Sequence, residues 1–358
     1  MKRENLPVKN NNILVPSKLL TDLRVLIQSA RTEVARQINS SLVTLYWNIG
    51  QRIQKDILKE RRAEYGQQIV FALGIELTKE FGQGFVPRNL WYMVRFAETF
   101  PEEKIVNALR SQLGWTHFRV IMALDEPLKR QFYAEMCRLE RWSTRTLEHK
   151  INHFLYERTA VAKKPVKVIE QEIKSLRKED RLTPDLVFRD PYFLDFLKLH
   201  DGYIEKDIED AIMREMENFI LELGTGFTFI ARQKRITVDN EDYYLDLLFY
   251  HRKLRRLVAI DLKLGKFQAA DKGQMELYLR WLDRYERQKN EHEPIGLILC
   301  AGKSERHVQL LELDKGNIRV AAYMTELPPK ELMERKLLES IAFARERLTR
   351  KKLLNDSL

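Results

Sequence analysis

The chain has 358 residues, 44% hydrophobic and 32% charged, enough apolar material for two or three globular domains and too much for a disordered chain. Its two cysteines, Cys137 and Cys300, stand far apart without metal-ligand spacing, which excludes a disulfide framework and favours a reducing compartment. No stretch approaches a membrane span and the first residues, Met1-Lys-Arg-Glu-Asn-Leu-Pro7, lack an apolar leader core, so a cytoplasmic location is expected. The formal net charge of +10 is one-sided: residues 1–180 carry 31 Lys or Arg against 21 Asp or Glu, while residues 181–358 carry 31 of each. A basic half beside a balanced half suits a protein that meets a polyanion, although many solvated helical domains are basic without one.

Apolar positions Leu19, Leu20, Leu23, Leu26, Ile27, Val34, Ile38, Leu42, Leu45 and Tyr46 predict one long helix or two shorter ones over residues 17–52. Helices over 67–81 and 87–100 follow, separated by Gly82-Gln-Gly84-Phe85, the layout of a helix-turn-helix. In the second of these, Val86, Leu90, Met93 and Ala97 form the inward stripe, and Arg88, Tyr92, Arg95 and Thr99 share another face. That face suits contact with phosphates and base edges, or packing between helices. Helices over 111–124, 128–139 and 144–156 complete a basic helical domain at 1–160, with Trp115 and Trp142 as core anchors. His149 and His153 lie one turn apart, but Lys150 stands where a zinc protease places Glu, so they read as ordinary histidines. A shift to Lys, Glu and Pro over 161–184 marks a linker or exposed helix.

Beyond that boundary, residues 203–223 read as a helix stopping at Gly224, and 227–238 as a strand. The runs 243–250 and 257–264 form a hairpin, 271–288 is an amphipathic helix, and 295–301 is a strand buried on both faces. An added strand at 319–324 and a charged terminal helix at 330–348, a cover or oligomer contact, complete residues 185–358.

The hairpin holds the most informative residues. Turning it at Lys253 and Leu254 sets Asp246 directly opposite Asp261, and strand alternation sends Lys263 to the same face. Two carboxylates in an apolar setting repel and resist desolvation, a problem that a bound divalent cation removes. Oxygen donors with part of a hydration shell suit magnesium. A structural ion pair between Lys263 and either acid is the plainer reading.

The order helix, three strands, helix, strand, with an acid in the second strand and Asp-x-Lys in the third, resembles the PD-(D/E)XK nuclease superfamily. Glu222-Leu-Gly224 through Phe227, Leu245-Asp-Leu-Leu-Phe-Tyr-His251, Ile260-Asp-Leu-Lys263, Gly273-Gln274 and, upstream, Arg189-Asp-Pro-Tyr-Phe-Leu-Asp-Phe196 are similar to the YhcG-type nuclease domain of bacteria. Two positions depart from the superfamily pattern: Leu245 replaces the proline before the first acid, and Asp261 stands where many relatives carry Glu. The resemblance implies an α+β chain, with an all-α helix-turn-helix-like domain followed by an α/β restriction-endonuclease-like domain around a mixed sheet. It implies a magnesium-dependent nuclease, manganese serving as well, that hydrolyses phosphodiester bonds, most often in DNA. Asp246 and Asp261 would hold the metal and Lys263 would orient water or offset charge. A first-helix acid, Glu222 ahead of Glu215 and Glu217, would complete the site. Gln274 matches an accessory glutamine, although Asp271 three residues earlier equally suggests a helix cap. Arg88, Tyr92 and Arg95 are the nucleic-acid-binding candidates. A homo-oligomer and a restriction or defence-system partner also follow from the likeness. A non-catalytic DNA-binding or complex-forming subunit that keeps the fold is the alternative.

Overall fold

The computed structural model describes residues 17–59, 63–200, 202–313 and 316–355. The stretch read for a leader lies outside the described residues, as does the side chain of Leu19. Two compact units divide after Ala123.

The first unit contains helices α1 (Ser17–Lys59), α2 (Ala63–Phe81), α3 (Pro87–Thr99), α4 (Glu103–Leu109) and α5 (Trp115–Met122). Proline in its first turn suits the start of α3, where no intrahelical donor is needed. The expected stripe is inside: Leu90, Met93 and Ala97 are buried, and Leu90 and Met93 cluster with Ile53 of α1 and Val70 of α2. Trp115 joins that core, edge-on to Tyr46 at 4.9 Å and to Phe96 at 5.5 Å between centroids. The α1 and α3 backbones touch at Gly50, where a Cβ would lie 1.9 Å from the Met93 carbonyl oxygen. Only glycine allows that approach.

The second unit begins with α6 (Pro127–Glu140), α7 (Thr144–Asn152), α8 (Leu155–Arg158), α9 (Val166–Glu179) and α10 (Pro184–Val187). Residues 124–160 therefore fold with the second unit rather than with the helices before them. Most of the stretch expected as a linker is α9, whose Ile169, Ile173 and Leu176 are buried. Arg138 of α6 donates to the Leu176 carbonyl at 3.0 Å. Lysines and glutamates on the outer face of α9 dilute this stripe in a composition average.

The sheet follows: β1 (Tyr192–Phe193), α11 (Glu205–Arg214), α12 (Met216–Leu223), β2 (Phe227–Val238), β3 (Glu241–His251), β4 (Arg256–Lys266), α13 (Ala269–Tyr285), β5 (Ile295–Gly302), α14 (Glu305–Leu310), β6 (Ile318–Met324) and α15 (Lys330–Asn355). The single helix expected over 203–223 breaks at Glu215 (φ −105°, ψ 30°) into α11 and α12. Strand order is β1-β6-β5-β4-β3-β2, with β2, β3 and β4 antiparallel and β4, β5, β6 and β1 parallel. This is the mixed sheet expected. Leu248 and Ala259 pack beneath α13 with Met275, Tyr278 and Leu279. On the opposite face Phe249 meets Phe219 of α12, ring centroids 6.1 Å apart. Among the described residues no helix is long and apolar enough to cross a membrane.

Candidate active site

The hairpin register is the one expected from the turn: His251 pairs with Arg256, and the ladder runs to Leu247 opposite Ile260. There the backbone pairing stops, one residue short of the expected pair of Asp246 with Asp261. Instead of a β3 backbone carbonyl, the Asp246 side chain accepts the next donor, the Leu262 N–H, at 2.8 Å from its Oδ2. The opening of the ladder brings the first acid against the strand that carries Asp261 and Lys263.

Asp261 is 2% exposed, and its Oδ2 lies 2.9 Å from Lys263 Nζ. Beyond that charge contact the buried oxygen receives no well-directed hydrogen bond. Burial raises the Asp261 carboxyl to about 6, with Lys263 opposing the shift and the charges of Asp246 and Asp271 adding to it. Asp246 is raised as well, again by burial first, against hydrogen bonds from Leu262 and Gln233. Burial alone would lower the Lys263 ammonium, but the adjacent Asp261 carboxylate outweighs it and the net shift is upward.

Helix α13 starts at Ala269, two residues before the expected start, so Asp271 stands in the first turn and not at the N-cap. Asp271 closes the helix start by accepting from the Gln268 N–H at 2.7 Å, which leaves Gln274 free to face the sheet. Its Oε1 lies 3.5 Å from Lys263 Nζ, and its Nε2 donates to Tyr278 Oη at 2.5 Å. Tyr278 in turn donates to the Tyr244 carbonyl at 3.0 Å, fixing the amide against rotation.

The structure places a helix acid at the cluster, and it is not one of the three expected. Glu209 of α11, nearly buried, accepts from Gln233 Nε2 at 2.9 Å, and the same amide donates to Asp246 Oδ1 at 3.0 Å. Gln233 has φ +48° and follows a register shift in β2 between Phe229 and Ala231. Arg232 also pairs with Glu209, and Glu205 accepts the Leu264 N–H at 3.1 Å. Glu222 lies elsewhere. It is sandwiched between buried Arg158 and Arg189 and accepts the Phe193 N–H at 2.9 Å. Gly224 (φ +121°) lets the Arg189 guanidinium come close, with Nη2 3.1 Å from where a Cβ would stand. Glu217 is exposed, and Glu215 accepts from Asn218 Nδ2 at 2.7 Å at the helix break. Of the two helices that meet at Glu215, α11 supplies the acid linked to Asp246, through the Gln233 amide. An acid at Glu209, on the inward face with Ile208 and Ile212, was the signal available in the sequence.

Among the described residues no group of three His, Cys, Asp or Glu converges as a ready metal cluster. Two desolvated carboxylates with a buried oxygen lacking a directed donor nevertheless fit a hard divalent ion that takes its remaining ligands from water and substrate oxygens. They do not fit zinc, which prefers sulfur and nitrogen donors in a closed set.

In the first unit Arg88 and Arg95 are exposed on α3. Tyr92 is half-buried: it accepts from Arg88 at 3.3 Å, and the Arg119 guanidinium lies 4.5 Å over its ring. The bond from Arg88, then that from Arg119, lowers the Tyr92 hydroxyl. Arg119 comes from α5 and was not evident from the spacing within α3.

Comparison with known proteins accounts for both halves. A model of the DUF1016 N-terminal domain matches residues 22–158, and one of the YhcG PDDEXK nuclease domain matches residues 185–338. The chain is 32% identical over 353 residues to "Putative nuclease YhcG" of Escherichia coli (strain K12), covering 90% of this chain and 93% of that one. Among solved structures, a repair endonuclease from Pyrococcus abyssi is 22% identical over 36% of this chain and 50% of its own, with a TM-score of 0.25. EndoMS in apo form is 17% identical over 36% of this chain and 49% of its own, with a TM-score of 0.24. The chain thus spans about half of each, and similarity at that level carries no argument. The full-length relative and the two domain matches do: the chain belongs to the YhcG family, and its second half is a nuclease domain of the PD-(D/E)XK type.

Proposed function

We propose that this nuclease cleaves DNA with magnesium held by Asp246 and Asp261, and that the helical first unit binds the substrate. One observation carries the reading: the β3–β4 ladder opens at Asp246, so that two desolvated carboxylates gather with Lys263, whose ammonium pairs with the buried Asp261 Oδ2. When bound, the ion would polarise the scissile phosphate and make water a stronger nucleophile. Lys263 is held between Asp261 and Gln274, from where its ammonium would also meet a phosphate oxygen as negative charge grows. Gln233 keeps Glu209 and Asp246 at a fixed spacing, and Glu209 supplies the helix acid. Arg88 and Arg119 around Tyr92, with Arg95 exposed on the same helix, support phosphate contact by the first unit.

The test is cleavage of labelled duplex, forked and single-stranded DNA, and RNA of the same sequence, with and without magnesium, by wild type and Lys263→Ala. DNA cleavage that needs magnesium and falls by about 100-fold or more in Lys263→Ala is expected. Cleavage of RNA alone overturns the substrate, and undiminished cleavage by Lys263→Ala overturns the site.

A further inference from the structure

We propose that a cavity in the second unit, bounded by α10, β6 and α15, is an anion site that takes a phosphate group and is separate from the acid cluster. It encloses ≈ 180 Å³, less than the roughly 300–1,000 Å³ of sites that hold whole drug-sized ligands. A compact oxyanion fits, and a nucleotide would have to enter phosphate first.

Charge selects the ligand. The lining includes six cationic and three acidic residues. Each inner carboxylate is shared by two cations: Asp190 by Lys163 at 2.8 Å and Lys303 at 2.7 Å, and Asp185 by Lys164 at 3.2 Å and Arg319 at 3.4 Å. Glu305 is largely exposed and stands 3.7 Å from Lys303. Lys163, Lys164, Lys303 and Arg319 thus face Asp185, Asp190 and Glu305, which leaves one positive charge in excess at the cavity wall. The Asp190 carboxyl reports this surplus: burial would raise it, but the two ammoniums hold it far below the usual carboxylate range.

The Arg189 guanidinium is engaged by Glu222; the groups that would meet an oxyanion are Lys163, Lys164, Lys303 and Arg319, charge-assisted donors of the kind that oxyanions accept from. The apolar part of the wall, Val308, Leu313 and Val320, keeps the local dielectric low, which strengthens each charge contact.

The cavity shares no residue with the acid cluster. Across the sheet Asp261 pairs with Ile298 and Ile298 with Val320, which sets the cavity wall two strands from the catalytic candidate, about 10 Å away.

Calorimetric titration of the full chain with inorganic phosphate, at ionic strength held constant with chloride, tests the site. Wild type is expected to bind one phosphate saturably, Arg319→Gln and Lys164→Met to bind at least ten times more weakly, and Asp261→Asn to bind as wild type does. Each cation variant leaves Asp185 with its other partner, and two independent variants guard against a folding defect in either. A 5′-mononucleotide that binds more tightly than phosphate, with the nucleoside not binding, identifies a nucleotide's phosphate as the ligand, whereas tighter binding of phosphate identifies the free ion. Absence of saturable binding, or binding lost in Asp261→Asn and kept in both cation variants, overturns the proposal.

Discussion

Replacing Glu222 by Gln separates a structural carboxylate from a metal ligand. In the folded protein Glu222 is the partner of Arg158 and Arg189, which are 1% and 6% exposed. Glutamine preserves the volume and an acceptor for the Phe193 N–H, but it leaves two buried guanidiniums without a counter-charge. Breaking a buried pair by neutralising one partner costs about 3–5 kcal/mol. For a unit the size of Leu124–Leu358, each kcal/mol lowers Tm by about 2–4 °C, so a fall of about 6–20 °C is expected. Differential scanning calorimetry with and without calcium, a non-cleaving stand-in for magnesium, reads both quantities at once. Glu222→Gln should lose stability yet keep the wild-type calcium increment, whereas Glu209→Gln should lose much of that increment. The reasoning fails if Glu222→Gln is as stable as wild type and no longer responds to calcium.

Two further outcomes follow from packing and burial. His251 is fully buried, and burial first, with Lys253 adding, lowers it from the ordinary 6.5 to about 4; the unfolded chain therefore binds the extra proton between those values. Stability is full above the unfolded value and falls as pH drops through that window, by up to about 3 kcal/mol from this residue, and urea midpoints at pH 7 and 4.5 should differ less in His251→Gln than in wild type. Gly50→Ala forces a Cβ onto the Met93 carbonyl oxygen and should destabilise the first unit by about 1–3 kcal/mol, measured by hydrogen exchange in α3; unchanged protection there would show that α1 and α3 separate without cost.

Much of the site was legible because strand pairing is periodic. Once the turn was placed at Lys253 and Leu254, alternation carried Asp246, Asp261 and Lys263 to one face, and the observed register agrees from His251 to Leu247. What local pattern did not contain was the end of that ladder, since a side chain accepting the Leu262 N–H looks in sequence like any other strand residue. Glu222 was misleading for a related reason. Its partners Arg158 and Arg189 are 64 and 33 residues away, and nothing in the helix itself marks a carboxylate as already neutralised. Glu209 was overlooked because the break at Glu215 makes two helices of one periodic run, and the acid that meets Gln233 of β2 comes from the first of them. Likewise β1 is too short for alternation to register, and α9 hides its buried stripe among charges.

The most direct measurement is calorimetric titration with calcium of wild type, Asp246→Asn and Asp261→Asn under identical conditions. Wild type should bind the ion saturably, and each single substitution should weaken binding by at least about tenfold, or 1.4 kcal/mol. Equal affinity in either variant would contradict a shared ion between the two strands.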